Sequence, residues 1–313
     1  MANFELLPDN IILEVLNYLP VKELCIAGRV CRRWRRITRD YTLWRHVDLT
    51  PYRLDLKKTW KVIRSHFSEC LISLKLRGDF NMPIKDKNPV SDAMLVDLNE
   101  RCPNIRHITL QNCKLQNLEM KLPPSLTSIE LNQCYWKPRW FKHLHTMIPN
   151  IKCLILEHTS RVDNHDLDDV CKIIGLESLN LNACYRINEK GLEKIAKELT
   201  NLQTLEIAHC NCTDLILHHI SRHLTKLETL NIRNSKVTDS GISTIVSGLR
   251  NLKHLNINKC DLLTPSGLEC LKSLKSLKTL VCDIPHITSN LETILENNGC
   301  IITALDRNKP ENI

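Results

Sequence analysis

Fifteen cysteines and thirteen histidines are the residues most able to do chemistry in this chain. A thiolate beside an imidazole is a nucleophile, and several of either can hold a metal. They come closest together in His209-Cys210-Asn211-Cys212, with His218 and His219 following. A thiol nucleophile needs a base within hydrogen-bond reach and a group to stabilise an oxyanion, and nothing in this stretch orients such a pair. A zinc knuckle places about two to four residues between its cysteines and needs a second pair. Here one residue separates Cys210 from Cys212, and no second pair follows. The other histidines are scattered, and no G-x-G-x-x-G, P-loop or H-E-x-x-H pattern occurs. The sequence therefore predicts no catalytic residue, no metal site and no cofactor.

The elements that would carry these residues form a repeat. Leu176 to Leu199 reads LESLNLNACYRINEKGLEKIAKEL. Apolar and polar residues alternate from Ser178 to Asn182, the period of a half-buried strand. After a bend, Leu192, Ile195, Ala196 and Leu199 fall at helical spacing. One strand and one helix cannot bury both apolar faces alone, so the unit must stack on copies of itself. The pattern L-x-x-L-x-L starts at Leu71, Ile105, Leu126, Ile151, Leu176, Leu202, Leu227, Leu252 and Leu277, at intervals of 34, 21, 25, 25, 26, 25, 25 and 25. Eight positions after each start stand Asp79, Cys113, Cys134, Thr159, Cys184, Cys210, Ser235, Cys260 and Pro285, five of them cysteine. A small side chain filling the turn behind the strand explains that position better than chemistry does. The long first interval carries an insertion near Asp79 to Pro89, expected as an exposed loop. A last strand is expected at Ile301 to Leu305, and a polar tail from Asp306 to Ile313.

Ahead of the repeats lies a helical segment. Asp9 is placed to cap a helix through IILEVLNYL, with Ile12, Val15, Leu16 and Leu19 on one face and Ile11 beside it. Pro20 ends that helix and opens VKELCIAG, and a third runs from about Arg29 with Val30, Trp34 and Ile37 inward. So short a unit has a small core, and much of its apolar surface is expected to need a partner. Trp44 to Leu49 (WRHVDL) alternates like a strand. LKKTWKVIRSHF follows as a helix with Trp60, Ile63 and Phe67 inward, so the join is packed.

The net charge is +8, and residues 1–70 hold 13 Lys+Arg against 8 Asp+Glu, leaving +5 there. Six arginines lie between Arg29 and Arg39, but only Trp34 is interleaved and it belongs to the apolar side, so nucleic acid is not expected as a partner. No run of about 18 apolar residues exists, and MANFELLPDN lacks a basic segment followed by an apolar one, so neither a membrane span nor a secretory signal is expected. Many cysteines without a secretory signal point to a reducing compartment, cytoplasmic or nuclear.

The motifs of the first forty-five residues carry a resemblance. Leu7-Pro8, Tyr18-Leu19-Pro20, Glu23-Leu24, Val30-Cys31 with Trp34, and Leu43-Trp44 resemble the F-box, with Glu23 where the usual acidic residue is Asp. CYRINEKGL (Cys184 to Leu192), SKVTDSGI (Ser235 to Ile242) and CDLLTPSGL (Cys260 to Leu268) resemble the cysteine-containing class of leucine-rich repeats. Together they resemble the F-box/leucine-rich-repeat proteins. The expected fold is α/β: a right-handed leucine-rich-repeat solenoid, a horseshoe with parallel strands inside and helices outside, behind an N-terminal all-α three-helix F-box. Residues 1–48 would be the F-box, 49–70 a packed connecting strand and helix, 71–305 the repeats and 306–313 the tail. About eleven strands at ~4.8 Å spacing would line a concave face roughly 50 Å along.

The resemblance implies a non-catalytic substrate receptor of an SCF ubiquitin ligase. The F-box would bind a Skp-family adaptor, reaching cullin and RING subunits through it, and the concave face would hold a protein substrate. The implied adaptor contacts are Leu7, Pro8, Ile11, Ile12, Val15, Leu16, Leu19, Pro20, Leu24, Val30, Cys31 and Trp34. The residues that the strand pattern turns outward are Lys75, Arg77, His107, Gln111, Glu130, Asn132, Glu157, Asn180, Asn182, Glu206, Arg233, His254, Asn256, Asn258 and Asp283, along with Thr109 and Asn231. A binding scaffold or inhibitor that serves no ligase is the alternative.

Overall fold

The structure is a computed structural model that describes residues 6–79, 88–115, 121–136, 139–283 and 287–305. Most of the expected insertion and all of the expected tail lie outside these residues. The chain falls into two compact units, Met1–Lys137 and Pro138–Ile313.

The first unit opens with three short helices: α1 (Asp9–Leu16), α2 (Val21–Ala27) and α3 (Arg32–Ile37). Pro8 and Pro20 stand in the extended conformation just ahead of α1 and α2, where a missing N–H costs nothing. Asp9 does not cap α1 as the sequence suggested; it is the first helical residue, and its carboxylate crosses to Arg33 and Arg36 of α3. Val30 also departs from expectation: it lies outside α3 and is 65% exposed.

Trp44 closes this segment, buried, donating its indole N–H to the Thr38 carbonyl at 2.8 Å. Its ring stacks on His66, at the end of α4 (Leu56–His66), with 3.9 Å between centroids. The strands β1 (His46–Asp48), β2 (Ser73–Arg77), β3 (His107–Gln111) and β4 (Ser128–Asn132) pair in parallel and in sequence order. The first strand pairs with the second directly after Trp44, so the three N-terminal helices share a unit with the first repeats.

The second unit alternates strand and helix: β5 (Cys153–Ile155), α7 (Asn164–Val170), β6 (Ser178–Asn180), α8 (Glu189–Glu198), β7 (Thr204–Glu206), α9 (Asp214–His223), β8 (Thr229–Asn231), α10 (Asp239–Gly248) and β9 (His254–Asn256). The short α11 (Pro265–Leu268), β10 (Thr279–Asp283), α12 (Ser289–Asn297) and β11 (Ile301–Leu305) follow; α5 (Asp92–Arg101) and α6 (Leu144–Met147) lie earlier in the chain. The ladders of this unit are parallel, and their register aligns Leu154, Leu179, Leu205, Leu230, Leu255 and Leu280. All six leucines are buried, so each strand presents one face to the core beneath the helices and the other to solvent. This is a leucine-rich-repeat fold with strands on one side and helices on the other.

Three kinds of contact join repeats of the second unit. The residue before the cysteine position is left-handed, with positive φ at His158, Ala183, His209, Asn234 and Lys259. That turn aims the backbone N–H of four of them at the following repeat, with His158, Ala183, His209 and Asn234 donating to the carbonyls of Asn182, Ala208, Arg233 and Asn258. The cysteine then reaches backward: the thiols of Cys184, Cys210 and Cys260 donate to the carbonyls of Leu156, Leu181 and Ile232 at 3.1, 3.0 and 3.3 Å. On the helix side, Asp214 accepts from the Thr238 N–H and hydroxyl, and Asp239 accepts from those of Thr264. Gly241 and Gly267 pack against these carboxylates, where an added Cβ would collide with them. The T-D-x-G pattern is thus a contact between repeats.

Candidate protein-interaction surfaces

Helix α1 is apolar on two sides. Ile12 and Leu16 point into the F-box core with Leu24 of α2, and all three are buried. These three were expected at the adaptor; their side chains are already spent on holding the helices together. Ile11, Val15 and Tyr18 fall four and three residues apart, and all are exposed. Spacing of i, i+4 puts Ile11 and Val15 on one face of α1, and Tyr18 follows just beyond its last residue, Leu16. Pro8, Pro20, Val30 and Cys31 are exposed too, while Leu7, Leu19 and Trp34 are half-buried.

The structure adds Leu6 (81% exposed), Tyr18 (82%) and Ile26 to this apolar surface. Tyr18 was visible in the motif, but a tyrosine two residues ahead of a proline reads equally well as a helix end. The Asp9 carboxylate ties α1 to α3 through Arg33 at 2.7 Å and through Arg36. The hydrogen bond from Arg33 holds the Asp9 carboxyl below its usual range, with desolvation opposing it and Arg36 adding to the effect. Arg33 also donates to the Leu7 carbonyl, pinning the chain ahead of the helix.

The outward faces of the strands are polar in both units. In the first unit Lys75 and His107 are exposed, and Arg77, Gln111, Glu130 and Asn132 are half-buried. Burial holds the His107 imidazole below its ordinary value, with His46 and Arg106 pushing the same way. Both Glu130 oxygens are occupied, one by the Thr109 hydroxyl at 2.8 Å and the other by the Asn132 amide at 2.7 Å. Thr109 itself is buried.

In the second unit Glu157, Asn180, Glu206, Asn231, Arg233, His254 and Asn256 are half-buried on the strand face. Asn182, Asn258 and Asp283 were expected to face a partner, and they do not. All three are buried. The Asn182 oxygen accepts from Ala208 N–H at 2.8 Å and its amide donates to Glu206 at 2.8 Å. Asp283 accepts from the Asn258 amide at 2.8 Å and from Lys259 N–H at 2.9 Å. Each satisfies strand-end backbone or a neighbouring repeat, as a buried polar group must.

The cysteine–histidine stretch does not assemble. Cys210 and Cys212 are both buried. Burial pushes the Cys210 thiol up to about 11 and Cys212 further, so neither supplies thiolate at neutral pH. His209 Nδ1 sits 2.7 Å from the Asn234 amide, and His219 lies 3.6 Å from Glu193. Among the described residues no group of three His, Cys, Asp or Glu is arranged to hold a metal, and no helix is long and apolar enough to cross a membrane.

Three short helices with exposed apolar residues, followed by parallel strands and helices at a 25-residue period, define the class: an F-box-like domain joined to leucine-rich repeats. Comparison with known families agrees. Residues 4–50 match the F-box-like family, and residues 223–246 and 248–272 match a Leucine Rich repeat family. The chain is 33% identical over 213 residues to F-box/LRR-repeat protein 12 of Homo sapiens, covering 67% of this chain and 65% of that protein. The Mus musculus protein of the same name matches at 33% over the same shares. Putative F-box/LRR-repeat protein 22 of Arabidopsis thaliana is 26% identical over 216 residues, 66% of this chain and 68% of that one. The matched part thus spans about 65% of the human and mouse relatives. Among solved structures, an internalin from Listeria monocytogenes aligns with a TM-score of 0.49 at 16% identity, over 76% of this chain and 75% of that one.

Proposed function

We propose that this chain is the substrate-recognition subunit of an SCF-type E3 ubiquitin ligase. Its F-box binds a Skp-family adaptor and, through it, cullin and RING subunits. The strand faces of the repeats bind a protein substrate. The chain performs no chemistry: it raises the effective concentration of substrate lysines near a charged ubiquitin-conjugating enzyme. It works in the cytoplasm, the nucleus or both.

The observation that carries this reading is the exposed apolar surface of Ile11, Val15 and Tyr18 on an F-box-like domain whose Ile12, Leu16 and Leu24 are already buried in its own core. An exposed apolar face on a short helical unit marks a docking surface. The test is co-expression with a Skp-family adaptor and a cullin, followed by pull-down of the tagged chain. Recovery of both, lost on Ile11→Asp with Val15→Asp, is the expected result. Adaptor without cullin would make the chain a scaffold, and neither would remove the F-box reading.

A further inference from the structure

Glu206 stands apart from the other carboxylates on the strand faces. One of its oxygens, Oε2, accepts from three amides: Asn182 at 2.8 Å, Asn180 at 3.2 Å and Asn231 at 3.5 Å. These amides are themselves fixed. Asn180 and Asn231 each take a backbone N–H on their side-chain oxygen, from Asn182 at 2.9 Å and from Arg233 at 3.1 Å, and Asn182 takes one from Ala208. Each therefore turns its NH2 group toward Glu206. The other oxygen, Oε1, receives no hydrogen bond and no ion pair among the described residues. Ser178, Thr204 and Thr229 precede Asn180, Glu206 and Asn231 on the face, so only small hydroxyl side chains flank the carboxylate on that side.

Glu130 of the first unit is the internal contrast. Its two oxygens are each taken, by Thr109 and by Asn132, so it is finished within the fold. Glu206 is held in one orientation by donors on one side and left open on the other. Holding a charged group in place before its partner arrives removes the ordering cost of binding. An acceptor with one open oxygen does not match the two-pronged fork of a guanidinium, which wants both oxygens. It does match a point charge with rotatable donors, an ammonium.

We infer that Glu206, clamped by Asn180, Asn182 and Asn231, is a receptor site for a lysine side chain of the bound protein. The site rests on the reading of the strand face as the substrate surface and makes it specific: lysine ammonium on Glu206 Oε1, with Thr204 and Thr229 hydroxyls beside it.

The test uses the 313-residue chain and three capped pentapeptides of the form Gly-Ser-X-Ser-Gly, where X is lysine, arginine or the neutral norleucine. The readout is the NMR shift of the side-chain amide signals of Asn180, Asn182 and Asn231. The lysine peptide is expected to move them at about tenfold lower concentration than the norleucine peptide, the worth of one charge-assisted hydrogen bond. Glu206→Gln abolishes that preference and Glu130→Gln leaves it intact. Equal responses to lysine and norleucine, or a preference that survives Glu206→Gln, would overturn the site. An arginine peptide binding as well as lysine would overturn the single-oxygen geometry. The wild-type comparison decides by itself should the variant not fold. Adaptor and cullin capture are read separately, so the loss of one reading does not imply the loss of the other.

Discussion

The F-box helices and the repeats meet the same burial problem in opposite ways. In the repeats, each apolar strand residue has a copy of itself one ladder step away, and the six register leucines of the second unit are all buried. In the F-box no copy exists. Seven of the twelve large apolar residues exposed among the described residues fall between Leu6 and Tyr41, a small part of the chain. Repetition lets a sequence cover its own apolar surface; a single short helical unit leaves some over. The repeats should therefore break through stability, and the F-box through binding.

The largest expected effect is in the repeat core. Leu230→Ala should cost about 2–5 kcal/mol in urea unfolding, with adaptor capture by the surviving folded chain unchanged. Next comes Ile11→Asp with Val15→Asp. Adaptor affinity should fall by roughly 2 kcal/mol or more, about thirtyfold, while the melt moves by less than about 0.5 kcal/mol. Leu16→Asp, one residue along the same helix, sharpens the contrast: it should unfold the F-box, because Leu16 is buried.

Gly241→Ala drives a methyl against Asp214, which cannot swing away because Thr238 holds both its oxygens. A loss of about 1–3 kcal/mol is expected from such overpacking. Cys184→Ala removes the thiol that donates to Leu156, and about 1 kcal/mol should go with it.

The smallest effect is a pH dependence in the first unit. Burial against Trp44, with Arg39 adding to it, holds the His66 imidazole below its ordinary value. The unfolded chain then binds a proton that the folded chain refuses. Stability should fall as pH drops through the ordinary histidine range near 6.5, and continue falling to the lower folded value. Melting at pH 7.5 and 5.5 should show this loss in the wild type and a flatter response in His66→Phe, which keeps the stack.

Much of this architecture was legible in residue spacing. The L-x-x-L-x-L starts locate strands β2 to β10, because a strand with one buried face must alternate. Boundaries and directions were harder. Val15 and Leu16 are neighbours on a helix and both belong to a plausible apolar face; only the packing of α2 and α3 selects Leu16 for the core. Asp9 sits where a cap would, yet finds a stronger partner in two arginines distant in sequence. Asn182 and Asn258 alternate with leucines as solvent-facing residues should. They are nevertheless buried, because the following repeat brings Ala208 N–H and Asp283 within hydrogen-bond reach. The left-handed residue ahead of the cysteine position had no signal either, since asparagine, glutamine, histidine, alanine and lysine all occupy it.

Sequence alone, then, determines what repeats: the period, the core leucines, the cysteine position and the F-box motifs are all local, and local spacing is enough to read them. The tertiary structure decides what a residue does once a neighbour arrives. It sends Leu16 inward and Val15 outward, fills both oxygens of Glu130 and only one of Glu206, and turns Cys184, Cys210 and Cys260 from candidate chemistry into packing and hydrogen bonds between repeats. The physical reason is that hydrogen-bond satisfaction and burial are properties of pairs. For these residues the partner lies about 25 positions away, where no local pattern reaches.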